Sequence, residues 1–298
     1  SEMNDAYSAP PLPRSPDLAK IHEPLNKWII GETAKTRVAV DEALEAYRFN
    51  DAAQTLYAFI WGKVCDWYVE FSKPLLNAEG EQAQEETRAT MAWVLDQCLI
   101  LLHPIMPFIT EELWGNLSER SKKLVHADWP VYGLDLVEEE ADREMNWVIG
   151  AIEEIRSVRM QMHVPAGAKI PMVMTEMDEA ARQAWTRNEE LITKLARIER
   201  LEEVESFPKG CASLTIKGAS LGLPLAGIID IAEEKARLQK SLDKLAKELG
   251  GLRGRLNNPK FVESAPEAVV TETRHNLAQR EDEEAQLKAA LARLAELD

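Results

Sequence analysis

The sequence predicts a mainly α protein made of an antiparallel helical bundle, a small α+β junction unit and a C-terminal antiparallel coiled-coil hairpin. Three observations carry this reading. The first zone is apolar with helical spacing, the middle zone interleaves helical and alternating stretches, and the last carries a leucine repeat. The expected divisions are residues 1–136, 137–228 and 229–298.

In the first zone, Leu25, Trp28, Ile29, Val38, Val40 and Leu44 mark a broad helical face that ends near Tyr47-Arg48-Phe49, after which Asn50 is placed to cap the next helix. That next helix keeps apolar groups at Leu56, Phe59, Ile60, Val64, Trp67 and Phe71 until Pro74, where it is expected to stop. A third helix, about Ala83 to Leu102, carries Met91, Val94, Leu95, Cys98 and Leu99 before Pro104 and Pro107. Thr110 is the expected cap of a short helix through Leu117. Short connections between such helices describe an antiparallel bundle.

The second zone opens with a helix through Trp147, Ile152, Ile155 and Val158. Then come an extended KIPMVM, a helix near Glu179 to Arg200, and the alternating stretches LEEVESF and ASLTIKG, with turns at Gly210 and Gly218. In the third, Leu238, Leu242, Leu245, Leu249, Leu252 and Leu256 form a heptad seam. After the break NNPKFVESAP, where Ser264 and Glu267 could make a capping box, a second seam runs Val270, Thr273, Leu277, Arg280, Glu284, Leu287, Leu291, Leu294. Arg280 and Glu284, one turn apart on that seam, could pair and fix the register of the hairpin. Helices of this length, about 40 Å at about 1.5 Å per residue, are expected to project as an arm.

Composition narrows the function. With 35 Lys and Arg against 51 Asp and Glu, the net charge is −16, which argues against a generic basic nucleic-acid module, DNA-binding ones included. No apolar run approaches the roughly 18 residues that suggest a membrane span. The isolated Cys65, Cys98 and Cys211 support neither a disulfide framework nor a zinc site, and the opening residues lack a secretory pattern. A cytoplasmic, monomeric protein is expected. The five histidines make no metal-binding pattern, and no phosphate-cradling loop, dinucleotide fingerprint or nucleophile elbow occurs, so no catalytic or metal residue is assigned.

Charge is nevertheless uneven. Between Lys235 and Lys260 there are eight basic residues against Asp243 and Glu248, a local +6 that leaves −22 for the rest of the chain. Lys240, Lys244, Lys247, Arg253, Arg255 and Lys260 in this ridge suit phosphate binding, although such charges also serve as solvated coiled-coil flanks. Aromatic and basic residues interleave at Tyr47-Arg48-Phe49 and at Trp61, Lys63, Trp67 and Tyr68, a composition suited to stacking unpaired bases; Trp67 and Phe71 fit better in the core, leaving Arg48, Phe49 and Lys63 freer to bind.

The stretches YRFNDAAQTLYAFIWGKVCDWYVEFSKPLL and LLHPIMPFITEELW resemble the anticodon-binding bundle of class I aminoacyl-tRNA synthetases. IRSVRMQMHVPAGAKIP, LPLAGIIDIAEEKARLQKSLDKL and LNNPKFVESAPEAVVTETRHNL are similar, in order, to the C-terminal region of bacterial valyl-tRNA synthetases. The resemblance covers nearly the whole chain. It implies part of a ligase that uses ATP and magnesium to join valine to its tRNA, here without the signatures that hold ATP and so without activity of its own. It also implies valine tRNA as partner, with the bundle reading the anticodon and the arm leaning on the outer corner of the tRNA. Where many members carry Ser-Arg-Leu in the first helix, this chain reads WIIGET, with Glu32 in place of the Arg; the resemblance then shifts an anticodon role to Lys35 or Arg37. The competing reading is a coiled-coil protein-interaction module without RNA binding. An enzyme with an unrecognised site is a third.

Overall fold

The computed structural model describes residues 7, 10–77, 81–225, 231–264 and 266–295, with backbone alone at 231, 233, 234, 260, 263, 264, 268, 290 and 293. Two compact units, Ser1–Ile149 and Gly150–Asp298, divide the chain.

The first unit is the expected bundle. Helix α1 (Pro24–Glu45) is its centre and is buried along most of its first half, Trp28, Ile29 and Ile30 almost completely. Its N-terminus is closed by the Glu86 carboxylate, which accepts from the backbone N–H of His22 (2.9 Å) and Glu23 (3.0 Å) and so satisfies donors no helical carbonyl can reach. The next helix runs as α2 (Phe49–Tyr57), a π-helical stretch over Ala58–Tyr68, and α3 (Val69–Leu76). Arg48 rather than Asn50 is the N-cap, because the turn after α1 closes two residues earlier than its polar sequence suggests, and Asn50 falls inside the helix. Pro74 does not end the helix. It sits inside the last turn, and α3 continues past it to Leu76, with the Asn77 N–H bonding the Lys73 and Pro74 carbonyls.

The π winding alters which side chains meet the core. The buried residues are Ala52, Leu56, Phe59, Val64, Tyr68, Phe71 and Ser72, with a step of five between Phe59 and Val64. The wider turn is marked by the Val69 N–H bonding the Val64 carbonyl, an i to i−5 bond. Tyr68 therefore takes the fully buried place that α-helical spacing gives Trp67, and Trp67 is half-buried with its ring edge-on to Phe71 at 5.4 Å. The Tyr68 hydroxyl donates to Asn26 (3.0 Å), whose amide donates to Glu86 and Thr87, so the inward polar atoms are paired.

Helix α4 (Glu81–Leu102) packs on α1 and α3, and α5 (Pro107–Leu117) on α4. Met106 caps α5 and Pro107 takes its first position. Thr110 is thus within the helix, its hydroxyl donating to the Met106 carbonyl (2.8 Å), because proline at the first helical position starts the helix earlier than a Thr cap could. Helix α6 (Glu139–Gln161) crosses the division between the units.

In the second unit a four-stranded sheet has the order β2-β1-β4-β3, with β1 (Ile170–Met177), β2 (Ile198–Glu203), β3 (Cys211–Ile216) and β4 (Ala219–Pro224). Strands β1 and β2 are parallel and linked by α7 (Glu179–Ala196), while β3 and β4 form a hairpin closed by Gly218 at φ 76°. The helix expected to reach Arg200 stops at Ala196, where Arg197 turns left-handed and the chain enters β2.

The C-terminal helices α8 (Ile231–Leu256) and α10 (Glu267–Ala295) pair along the expected seam, with Leu238, Leu245, Leu249, Val270, Thr273 and Leu294 buried. Cross-helix ion pairs Arg253–Glu281 (2.8 Å) and Arg280–Glu248 (3.4 Å) set an antiparallel register. Arg280 binds Glu248 and Glu283 rather than Glu284, which pairs with Lys288 one turn on. The break between the helices holds a six-residue helix, α9 (Pro259–Ser264); the proposed Ser264 cap involves a side chain outside the described residues.

Candidate nucleic-acid interface

Two faces, one in each unit, present chemistry suited to RNA. In the bundle it begins at the corner between α1 and α2. The Tyr47 N–H bonds the Leu44 carbonyl (3.0 Å) and the Arg48 N–H bonds Ala43 (2.8 Å), a Schellman closure that puts Tyr47 at the left-handed position with φ 58°. Glycine is the usual occupant there, and a side chain with a Cβ costs about 1–2 kcal/mol. The strained residue is 80% exposed and lies edge-on to Phe49 at 6.4 Å. From Phe49 the exposed side of the helix carries Ala53, Tyr57 and Trp61 at intervals of four, opposite the buried Ala52, Leu56 and Phe59. Four aromatic rings thus stand in solvent at Tyr47, Phe49, Tyr57 and Trp61, interleaved with the exposed amides of Asn50 and Gln54.

The five anticodon candidates divide. Arg48 and Phe49 lie on this face, Arg48 exposed beside Asp51 at 3.1 Å. Lys35, Arg37 and Lys63 are drawn into ion pairs within the bundle. Glu32 is buried and gathers both Lys63 and Lys35 (2.9 Å), the latter also reaching Asp142 (2.6 Å). Burial works against the Lys35 charge, but hydrogen bonds to Asp142 and Glu32 outweigh it and hold the ammonium above the usual lysine range. Arg37 pairs with Asp41 (2.5 Å) and donates to the Tyr132 carbonyl (2.8 Å). Glu32 in the first helix therefore has a structural consequence, since the cations around it neutralise a buried carboxylate. Sequence reasoning did not single out Tyr57; the signal was its interval of four from Trp61 and its offset from the buried positions.

In the second unit, Lys240, Lys244 and Lys247 follow one another at i, i+4 and i+7 along α8, and Arg255 lies near the same line two turns further on. At 100° per residue the three lysines face away from the Leu238, Leu245 and Leu249 seam, while Arg255 turns towards the groove beside α10. All four are exposed and form no ion pair among the described residues. Within the acidic stretch of α10, Glu281, Glu283 and Glu284 bind Arg253, Arg280 and Lys288, while Asp282 shares a groove with Arg255. Arg253 is accordingly a paired flank residue, and the Lys260 side chain lies outside the described residues. Between Lys247 and Arg255, Gly250, Gly251 and Gly254 leave the helix backbone uncovered, with nothing within 4 Å of where a Cβ would stand.

Among the described residues, no three His, Cys, Asp or Glu side chains converge in a way that could hold a metal ion, and no helix is long and apolar enough to cross a membrane.

Comparison with known proteins joins these faces. Residues 26–174 match the family model described as anticodon-binding domain of tRNA ligase, and residues 230–295 match valyl tRNA synthetase tRNA binding arm. The chain is 64% identical over its whole length to the valine-tRNA ligase of Ruegeria pomeroyi, covering 29% of that protein. It is 58% identical, again over its whole length, to the enzyme of Cereibacter sphaeroides (30% of that protein), and 43% identical over 94% of its length to that of Caulobacter vibrioides (31%). The chain thus spans about three-tenths of the length of these relatives. It belongs to the anticodon-binding domain family of tRNA ligases, joined here to the tRNA binding arm of the valyl-tRNA synthetases.

Proposed function

We propose that this chain is the tRNA-recognition part of a valine-tRNA ligase, the enzyme that joins valine to valine tRNA with ATP and magnesium. Residues 1–136 read the anticodon loop, 137–228 form a junction and 229–298 contact the outer corner of the tRNA. The observation that carries the reading is the row Lys240, Lys244 and Lys247, without an ion pair among the described residues and facing away from the hairpin seam. Phosphates need local positive charge, and fields beyond about 8–10 Å are screened at physiological salt, so a net charge of −16 does not oppose binding. The bare backbone at Gly250, Gly251 and Gly254 supports close approach of a nucleic-acid strand to α8. Tyr47, Phe49, Tyr57 and Trp61 suit stacking of anticodon-loop bases, worth about 1–3 kcal/mol per base.

The leucine seam is occupied within the hairpin, which favours RNA over a protein partner recruited through those leucines. The deciding experiment titrates labelled valine tRNA and an unrelated tRNA with the chain at two salt concentrations. Selective binding that weakens with salt is expected, with selectivity but not the salt response lost on Trp61→Ala. Binding to neither tRNA overturns the proposal.

A further inference from the structure

In the second unit the C-terminal ends of α6 and α7 meet around a buried guanidinium. Arg159, 6% exposed, donates to the carbonyls of Ala168 (2.8 Å), Arg197 (3.1 Å) and Pro165 (3.3 Å), and it meets no carboxylate among the described residues. Burial and the nearby Arg197 charge hold it below the ordinary arginine range, yet an arginine keeps its proton in a protein, so the positive charge stays. Arg156, three residues earlier on α6, covers the Leu195 carbonyl (3.1 Å). The two arginines thus occupy oxygens at the negative end of α7 that would otherwise repel an anion.

The same backbone contacts gather three further cations. The Ile170 N–H bonds the Arg197 carbonyl (3.4 Å), which sets Lys169 close to Arg197, and Lys194 lies in the last turn of α7. Lys169, Lys194 and Arg197 are exposed and form no ion pair among the described residues, while the Glu199 and Glu202 carboxylates that follow in β2 are held by Arg200. Arg197 takes a left-handed turn at φ 53° and His163, just past α6, another at φ 51°, places where glycine costs less. The His163 ring is met by the Arg237 guanidinium (2.6 Å), and Arg237 stands three positions before Lys240 on α8, so the lysine row of the arm continues to this locus. We propose that Lys169, Lys194 and Arg197 bind phosphates of the RNA backbone, a contact surface additional to the bundle face and the arm. Lys194 and Arg197 fall within residues 175–229, between the two matched family models. The assignment rests on the tRNA reading above. Cations left without carboxylates, over a buried charge and in line with the arm row, suit a phosphate chain better than a protein face of mixed charge.

Combining Lys169→Gln, Lys194→Gln and Arg197→Asn removes the three charges and keeps a residue that tolerates the left-handed turn. Titration of labelled valine tRNA across a salt series is expected to show the slope of log affinity against log salt falling by about 2.1–2.7, at about 0.7–0.9 per phosphate contact, with the melting temperature unchanged. Placing Lys instead of Asn at position 197 should return about 0.7–0.9 of that slope, a rescue that a merely structural role would not give. Should the triple variant melt lower, Lys194→Gln alone decides, with an expected fall of about 0.7–0.9. An unchanged slope while the unaltered chain still binds tRNA would overturn this surface, leave the readings of the bundle and the arm in place, and give the cations to an acidic protein partner. Failure of the unaltered chain to bind any tRNA would overturn the tRNA reading and this surface together.

Discussion

Replacing Lys240, Lys244 and Lys247 together by Gln removes three charges from the outward row of α8 while keeping good helix formers in place. All three are exposed and make no ion pair among the described residues, so the substitution should leave stability within about 0.5 kcal/mol. If each lysine neutralises one phosphate, the slope of log affinity against log salt falls by about 0.9 per contact on a duplex and about 0.7 on a single strand, or by about 2.1–2.7 for three. Between about 50 and 200 mM salt, a fourfold change, a slope difference of 2.7 is worth about 40-fold in affinity. The variant's disadvantage should therefore be about 40-fold greater at the lower salt. Fluorescence titration of labelled tRNA across a salt series reads this directly, with valine tRNA and an unrelated tRNA weakened alike because phosphate contacts carry no sequence information. An unchanged salt slope would remove the row from the binding surface, whatever happened to affinity at a single salt concentration.

Tyr47→Gly should separate folding from binding, raising stability in urea by about 1 kcal/mol because glycine tolerates the left-handed turn, yet weakening affinity for an anticodon stem-loop. A fall in stability would show that the ring packs in a way its 80% exposure denies. Arg120→Met leaves the buried Asp96, which it holds with two bonds of 2.7 and 3.0 Å, without its counter-charge, with the Tyr7 hydroxyl still donating to it, and should cost about 3–5 kcal/mol; adding Asp96→Asn should recover part of this. A loss below about 1 kcal/mol in urea unfolding would count against the pair. Burial pushes the Cys211 thiol from an ordinary 9.0 up to about 11, so its alkylation by iodoacetamide near pH 8 should run about 100-fold slower than that of a free thiol. Because the folded value lies above the unfolded one, the fold should also lose stability as pH climbs from about 9 to 11. Rapid labelling near pH 8 would refute the burial argument.

Much of this architecture could be read from periodicity alone. The hairpin seam was legible because a spacing of four and three has one geometric solution, and the bundle because its apolar residues recur on helical faces bounded by prolines. Failures came where one local signal competed with another. Asn50 and Thr110 have the chemistry of caps, but Arg48 and Met106 hold those places because the chain turns earlier. Trp67 and Tyr68 exchanged roles because nothing in the composition of the helix announces its π winding. The cations were harder still. In one dimension Lys35, Arg37 and Lys63 have the pattern of surface charges, and only a folded bundle shows the buried Glu32 and the Asp41 and Asp142 that engage them. The arm was simpler, since on an isolated pair of helices a charge off the seam has few places to point but outward.

The wide turn between Phe59 and Val64 makes the helix sensitive to its own length. Each residue of an α-helix advances the side chains by about 100°, so excising one residue, Gly62 for instance, and restoring regular winding would swing everything downstream by about that angle. Counted forward, Val64, Tyr68 and Phe71 would keep their places on the inner face only while the surplus residue persists. Upstream, the rings of Phe49 and Tyr57 would stay in line. One extra residue thus acts as a phase shifter, letting a single continuous helix serve a regular outer ladder before it and a differently timed core after it.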